Sequence, residues 1–159
     1  MKKLHDVLAA IGGNLQSLAL LAIRLAWGFQ LYESGVGHLT HVEKTAQFFA
    51  GLKFFGRFPM PWPSLSVYLS GATELAGGIL LMLGLFSRPI AVLLFFNFCV
   101  AYATAGWSEV ADLIHFRNPD NFINDAAFPF LVTSLLILAF GPGKVAVDAL
   151  IFKKPASGG

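Results

Sequence analysis

A single cysteine, Cys99, is all the thiol chemistry this sequence offers. One cysteine excludes an internal disulfide and a Cys-x-x-Cys redox pair. It lies in an apolar run and reads as a small buried hydrophobe. Charge is also scarce. Only 13% of residues are Asp, Glu, Lys or Arg, where a typical soluble domain has about 25%. The net charge of +2 is small and scattered, which excludes a nucleic-acid footprint. The chain has no Gly-rich phosphate loop, no H-x-E or HExxH pattern and no defensible Ser/His/Asp set. No internal repeat is visible, which weakens any reading as an inverted-repeat transporter.

What is present is apolar. Hydrophobic residues make up 56% of the chain, 16 of them phenylalanine, and mean hydropathy is +0.68. The apolar residues fall into four long stretches. Three of them are Leu15–Tyr32, Ser64–Phe86 and Pro89–Ala105. The fourth is apolar from Ala126 to Phe140, and Asn118-Pro119 supplies a helix start for a span from Pro119 to Phe140, with a kink expected at Pro129. Each is long enough to cross a bilayer core, which needs about 20 helical residues. None shows the single polar face of a soluble bundle helix. The first run contains Arg24 and exceeds a signal-peptide core, so it reads as a retained span.

The expected fold is therefore all-α: a four-helix transmembrane bundle, one domain over residues 1–152, with a polar tail at 153–159. Basic residues set its orientation. Lys2, Lys3, Arg88, Lys144, Lys153 and Lys154 fall on one side, and the other side mixes Lys44, Lys53, Arg57 and Arg117 with four acids. Basic excess marks the cytoplasmic side, so both termini are expected there. The first outer loop is rich in Phe48, Phe49, Phe54, Phe55 and Phe58 among basic residues, and predicts a short interfacial helix within His41–Phe58.

Several polar residues lie within or at the ends of the spans. Arg24, Glu74 and Asn97 fall near the middle of spans one, two and three. A lone charge at bilayer centre costs at least ~2.5–3.5 kcal/mol. Because neighbouring spans run in opposite directions, mid-span residues are expected at one depth, with Arg24 and Glu74 in contact and Asn97 beside them. Ser70, Glu74, Gly77 and Gly78 share a helical face, and Gly28 lies one turn from Arg24, which favours close helix approach. The pair reads equally as a structural staple and as a functional site. A cavity opening outward is expected, with Arg24, Glu74 and Asn97 as floor and Glu33, His38, Trp107 and Asp125 as mouth. For Asp125 and Asn124, helix capping is the simpler reading. His38 with His41, and Asp112 with His115, have three-residue spacings in outward loops, but without a recognised metal motif they read as solvated or capping, and no metal is assigned. No histidine is expected inside a span, so no haem is assigned.

Three segments carry a resemblance. "IRLAWGFQLYESGVGHL" (Ile23–Leu39), "YLSGATELAGGILLMLGLFSRP" (Tyr68–Pro89) and "FGPGKVAVDAL" (Phe140–Leu150) resemble the DoxX family. The matching positions are Arg24 and Gly28; Glu74, Gly77, Gly78 and Gly84; and Gly141, Gly143 and Asp148. The family's basic residue after the first helix is absent, and His38 follows Gly35 there. The resemblance implies a multi-pass protein of the bacterial inner membrane, linked in some relatives to quinone-dependent oxidoreductases. Three functions follow as alternatives. One is a membrane subunit, itself not necessarily catalytic, that binds a quinone or hydroquinone and serves an oxidoreductase partner. The second is a non-enzymatic scaffold or assembly factor. The third is a small-molecule transporter. Quinone is the one cofactor the resemblance admits. The catalytic residues, the partner and the oligomeric state are left open.

Overall fold

The computed structural model describes residues 2–151, with side chains from residue 12 onward. The tail at 153–159 lies outside the described residues. Helix α1 runs from Lys2 to Thr40, well past the expected apolar run at both ends. No proline occurs before Pro59, so nothing in the backbone forces an earlier stop. Helix α2, Val42–Ala50, lies in the segment expected to hold a short helix, but it stops short of Phe58. Gly51 ends it, and a two-residue hairpin follows, β1 Lys53–Phe54 with β2 Phe58–Pro59. Its turn places Phe55 and Gly56 at φ of 53° and 66°.

Helix α3, Pro63–Leu83, starts with proline in its first turn, where the missing N–H is free of cost, and ends at Gly84 with φ 67°. Helix α4, Ser87–Thr104, follows at once. Helix α5, Trp107–Ile114, fills most of the second loop. The fourth expected span is corrected here. Residues 119–140 are not one kinked helix but α6, Asp120–Asn124, and α7, Phe128–Phe140. Asp125 is extended, and its Oδ1 accepts the Ala127 N–H at 2.7 Å, which starts a new helix. Pro129 then sits in the first turn of α7, where it causes no kink. A short α8, Val147–Ile151, closes the described chain.

The long helices pack around one core of Leu20, Leu31, Leu81, Ile90, Ala91, Leu94, Phe98 and Ile137. The α1–α3 seam is built on glycine: a Cβ on Gly28 would lie 2.9 Å from the Gly78 carbonyl oxygen, and one on Gly78 2.5 Å from that of Gly28. Gly77 turns to α4 and receives Leu94. Phe98 of α4 stacks on Phe130 of α7 at 5.0 Å, and Trp27 of α1 meets the same ring edge-on at 5.6 Å, which closes the circuit. Helices α3 and α4 are long and apolar enough to cross a membrane. Large apolar side chains such as Leu83 and Val92 stand half exposed on these helices.

Candidate functional site

The glycine seam fixes the register of α1 on α3. Gly28 lies against Gly78, and Gly35 against Gly71 and Leu75, so each step up α1 is a step down α3. At that register Arg24 falls beside Gly84, at the end of α3, and Glu74 falls beside Ser34. The expected Arg24–Glu74 contact is therefore not formed. The glycine register sets Glu33 of α1, not Arg24, level with the centre of α3. α1 extends far beyond its run, and its middle does not face the middle of α3.

Glu74 instead collects partners from three helices. Ser34 of α1 donates to Oε2 at 2.7 Å. Ser70, one turn earlier on α3, donates to Oε1 at 3.0 Å, and Asn97 of α4 donates to the same oxygen at 3.1 Å. Nδ1 of His38, in the last turn of α1, lies 3.2 Å from Oε2, within ion-pair range but out of line for a hydrogen bond. Glu74 is 5% exposed as a residue, and its carboxylate accepts three hydrogen bonds with His38 beside it. Of the expected cluster, Glu74 and Asn97 thus meet as anticipated. His38 joins them because α1 continues through the segment expected to be loop. Ser34 went unnoticed, since a lone serine beside a glutamate on an outward-ending helix gives no signal of its own.

This polar node floors a cavity of about 490 Å³. Its walls come from Leu69 of α3, Leu93 and Phe96 of α4, and Phe48, Phe49 and Met60 of the first outer segment. The Phe49 ring stands edge-on to His38 at 6.0 Å. The hairpin that closes the cavity is held by a backbone bond from Phe55 N–H to the Ala103 carbonyl at 2.7 Å and by Trp107, which meets Phe55 at 5.1 Å and lies on Gly56.

The other expected site residues lie elsewhere. Arg24 is at the far end of the bundle. Trp107 clamps the hairpin from outside the cavity. Asp125 accepts the Ala127 N–H in the turn before α7 and borders a separate hollow of about 290 Å³ with Ser34 and Phe98. Glu33 is exposed on the opposite face of α1. His41 and His115 do not converge: Nδ1 of His41 lies within hydrogen-bonding distance of Thr40 and Gly37, that of His115 bonds the Ala111 carbonyl, and Asp112 pairs with Arg117. Among the described residues no group of three metal-ligating side chains occurs.

The DoxX family profile matches residues 19–107, more than half of the chain. The chain belongs to the DoxX family. It is 27% identical over 143 residues to "Putative oxidoreductase CatD" of Bacillus subtilis, covering 89% of this chain and 92% of that protein. It is 28% identical over 140 residues to "Inner membrane protein YphA" of Escherichia coli, covering 86% and 92%. No solved structure matches it significantly.

The positions that carry the resemblance divide between two places. Glu74 holds the node just described, while Arg24, Gly84 and Asp148 meet at the other end. Arg24, 1% exposed, donates from Nη2 to the Val145 carbonyl at 2.5 Å and packs on Gly84, where no side chain would fit. The Asp148 N–H donates to the Gly84 carbonyl at 2.9 Å. The Asp148 carboxylate accepts the N–H groups of Phe86 and Ser87 at 2.9 and 2.8 Å. It thereby caps α4 from outside the helix and steadies Phe86 at its unusual φ of 49°. Burial alone would raise the Asp148 carboxyl, but the bonds from Ser87 and Phe86, with Arg24 nearby, outweigh it and hold the group below its ordinary value. This arrangement latches the last segment of the chain to the α3–α4 turn. Arg24 Nε and Nη1 are buried there without a hydrogen-bond partner, and Asp148 borders a cavity of about 760 Å³ together with Ser17, Leu20 and Gly143.

Proposed function

We propose that this protein is a multi-pass protein of the bacterial inner membrane that binds a quinone or hydroquinone in the aromatic-walled cavity above Glu74. In this reading it acts as a membrane subunit beside an oxidoreductase partner. The observation that carries the reading is the pairing of an apolar, phenylalanine-lined space with a carboxylate–histidine floor. A drug-sized ring needs apolar walls and a few convergent polar groups. The ring would lie among Phe48, Phe49 and Phe96. Its hydroxyl or carbonyl would reach the Glu74–Asn97–His38 floor. Among the described residues no hydrogen bond is made by His38 Nε2, which leaves that atom for a ligand. The oxidoreductase name of the CatD relative and the inner-membrane name of the YphA relative agree with this reading.

The test is affinity for a short-chain benzoquinone and its hydroquinone in detergent. Glu74→Gln and His38→Asn should weaken binding at least tenfold, while Arg24→Gln, at the far end of the bundle, should leave it unchanged. Equal affinity in all four proteins, or none in the wild type, refutes the reading. A second reading has its own support. Glu74 ties α1, α3 and α4 together, as a purely structural node in a scaffold would. In that case Glu74→Gln lowers stability while the wild type binds no quinone.

A further inference from the structure

The buried face of α1 runs through Leu20, Arg24, Gly28, Leu31 and Gly35, which pack on α3 and the core. The opposite face carries Ala22, Ala26, Gln30 and Glu33, all exposed. By the register of α1 on α3, Glu33 stands level with Thr73, halfway along the 21 residues of α3. Neither Gln30 nor Glu33 makes a side-chain hydrogen bond or ion pair among the described residues.

If α3 spans a bilayer, this is a carboxylate and a carboxamide facing outward at mid-depth. Lipid can cover the exposed Leu18, Leu25 and Phe29 on either side of them. It cannot hydrogen-bond a carboxylate, and ionisable groups at this depth face protein or water. The face is also shaped for close approach. Ala22 and Ala26 lie below the polar pair. Above it, a Cβ on Gly37 would meet nothing within 4 Å. Small residues flanking polar ones are what membrane helices use to touch.

We infer that this face of α1 is the seam of a homodimer, in which Gln30 of each copy donates its carboxamide N–H to the Glu33 carboxylate of the other. The patch is self-complementary, which is the requirement of a two-fold interface. Two copies inserted in the same sense, about an axis along the membrane normal, bring identical residues to the same depth. Gln30 and Glu33 are one helical turn apart on one face, a rise of about 4.5 Å that their side chains span. The resulting two Gln–Glu pairs lie on either side of the axis and keep the carboxylates apart. The inference rests on the membrane-spanning reading alone. Quinone binding has no part in it, so the two stand or fall separately.

The test uses the full chain in phosphatidylethanolamine–phosphatidylglycerol vesicles, with Cys99→Ser as background. Ala26→Cys should form an oxidative cross-link to a dimer, and Val92→Cys, exposed on α4, should not. Subunit exchange read by energy transfer between labelled copies should weaken at least tenfold in the Gln30→Leu, Glu33→Leu double variant. That variant exposes more apolar surface to lipid and should keep its melting temperature in detergent, which separates a lost interface from a lost fold. Glu33→Gln, which still hydrogen-bonds, should retain the dimer. A wild type that stays monomeric at every dilution overturns the inference. So does a cross-link at Val92→Cys but not at Ala26→Cys, or a double variant that associates as tightly as the wild type.

Discussion

Gly78→Ala adds one methyl group at one of the tightest points of the α1–α3 seam. The new Cβ would sit 2.5 Å from the Gly28 carbonyl oxygen and 2.7 Å from the Tyr32 backbone nitrogen. Carbon–oxygen contacts normally stop at about 3.3 Å. Both obstructing atoms are backbone, so no side chain can swing aside, and the helices must part by most of an ångström. A gap of that size forfeits about a quarter to a half of each dispersion contact along the seam. Overpacking of this kind costs about 1–3 kcal/mol. Alanine recovers up to about 1 kcal/mol of helix propensity over glycine. The net expectation is a loss of about 1–2 kcal/mol. Gly12→Ala is the control, because a Cβ there meets nothing within 4 Å, and it should gain about 0.5–1 kcal/mol. Thermal unfolding in a mild detergent, followed by circular dichroism, reads both. If Gly78→Ala melts at or above Gly12→Ala, the glycine seam is not what sets the register, and the separation of Arg24 from Glu74 loses its physical basis.

Asp148→Ala should cost about 1–2 kcal/mol, because it leaves two N–H groups at the start of α4 without their acceptor. The loss has a pH signature. A carboxyl held below its ordinary value stabilises the fold at pH above that value, and the contribution fades as pH falls through the lowered one. Unfolding curves of wild type and Asp148→Ala should therefore differ at neutral pH and converge only below about pH 4. Parallel curves down to strongly acidic pH would contradict the latch. Both termini are expected in the cytoplasm, so a reporter active only in the periplasm should be silent when fused after Gly159, and activity there reverses the orientation.

The apolar runs made α3 and α4 legible to within a few residues, because Pro63, Gly84 and Pro89 punctuate them. The ends of α1 were not legible. Its polar extensions through Ser34–Thr40 look like loop on composition, yet they are helical because they pack on α3 through Gly35 and His38. That error displaced His38 from the bundle, and Arg24 was set opposite Glu74 because apolar runs carry no sign of the glycine register. Pro129 was misread because a proline inside an apolar run looks like a kink until the Asp125 turn shows that the run begins there. Glu74, Asn97 and the aromatic loop were found as one neighbourhood, since polar residues in apolar helices seek each other. The Arg24–Asp148 latch joins residues more than a hundred positions apart, and only the fold brings them together.

Photolabelling tests the proposed site most directly. A light-activated azidoquinone, irradiated with the purified protein and mapped by mass spectrometry, should label Phe48–Met60 or the Leu93–Asn97 turn of α4, and excess unlabelled hydroquinone should suppress the label. Glu74→Gln should reduce it at least tenfold. Labelling confined to the Pro142–Ala149 segment at the other end of the bundle, or labelling that competitor does not reduce, would contradict the account.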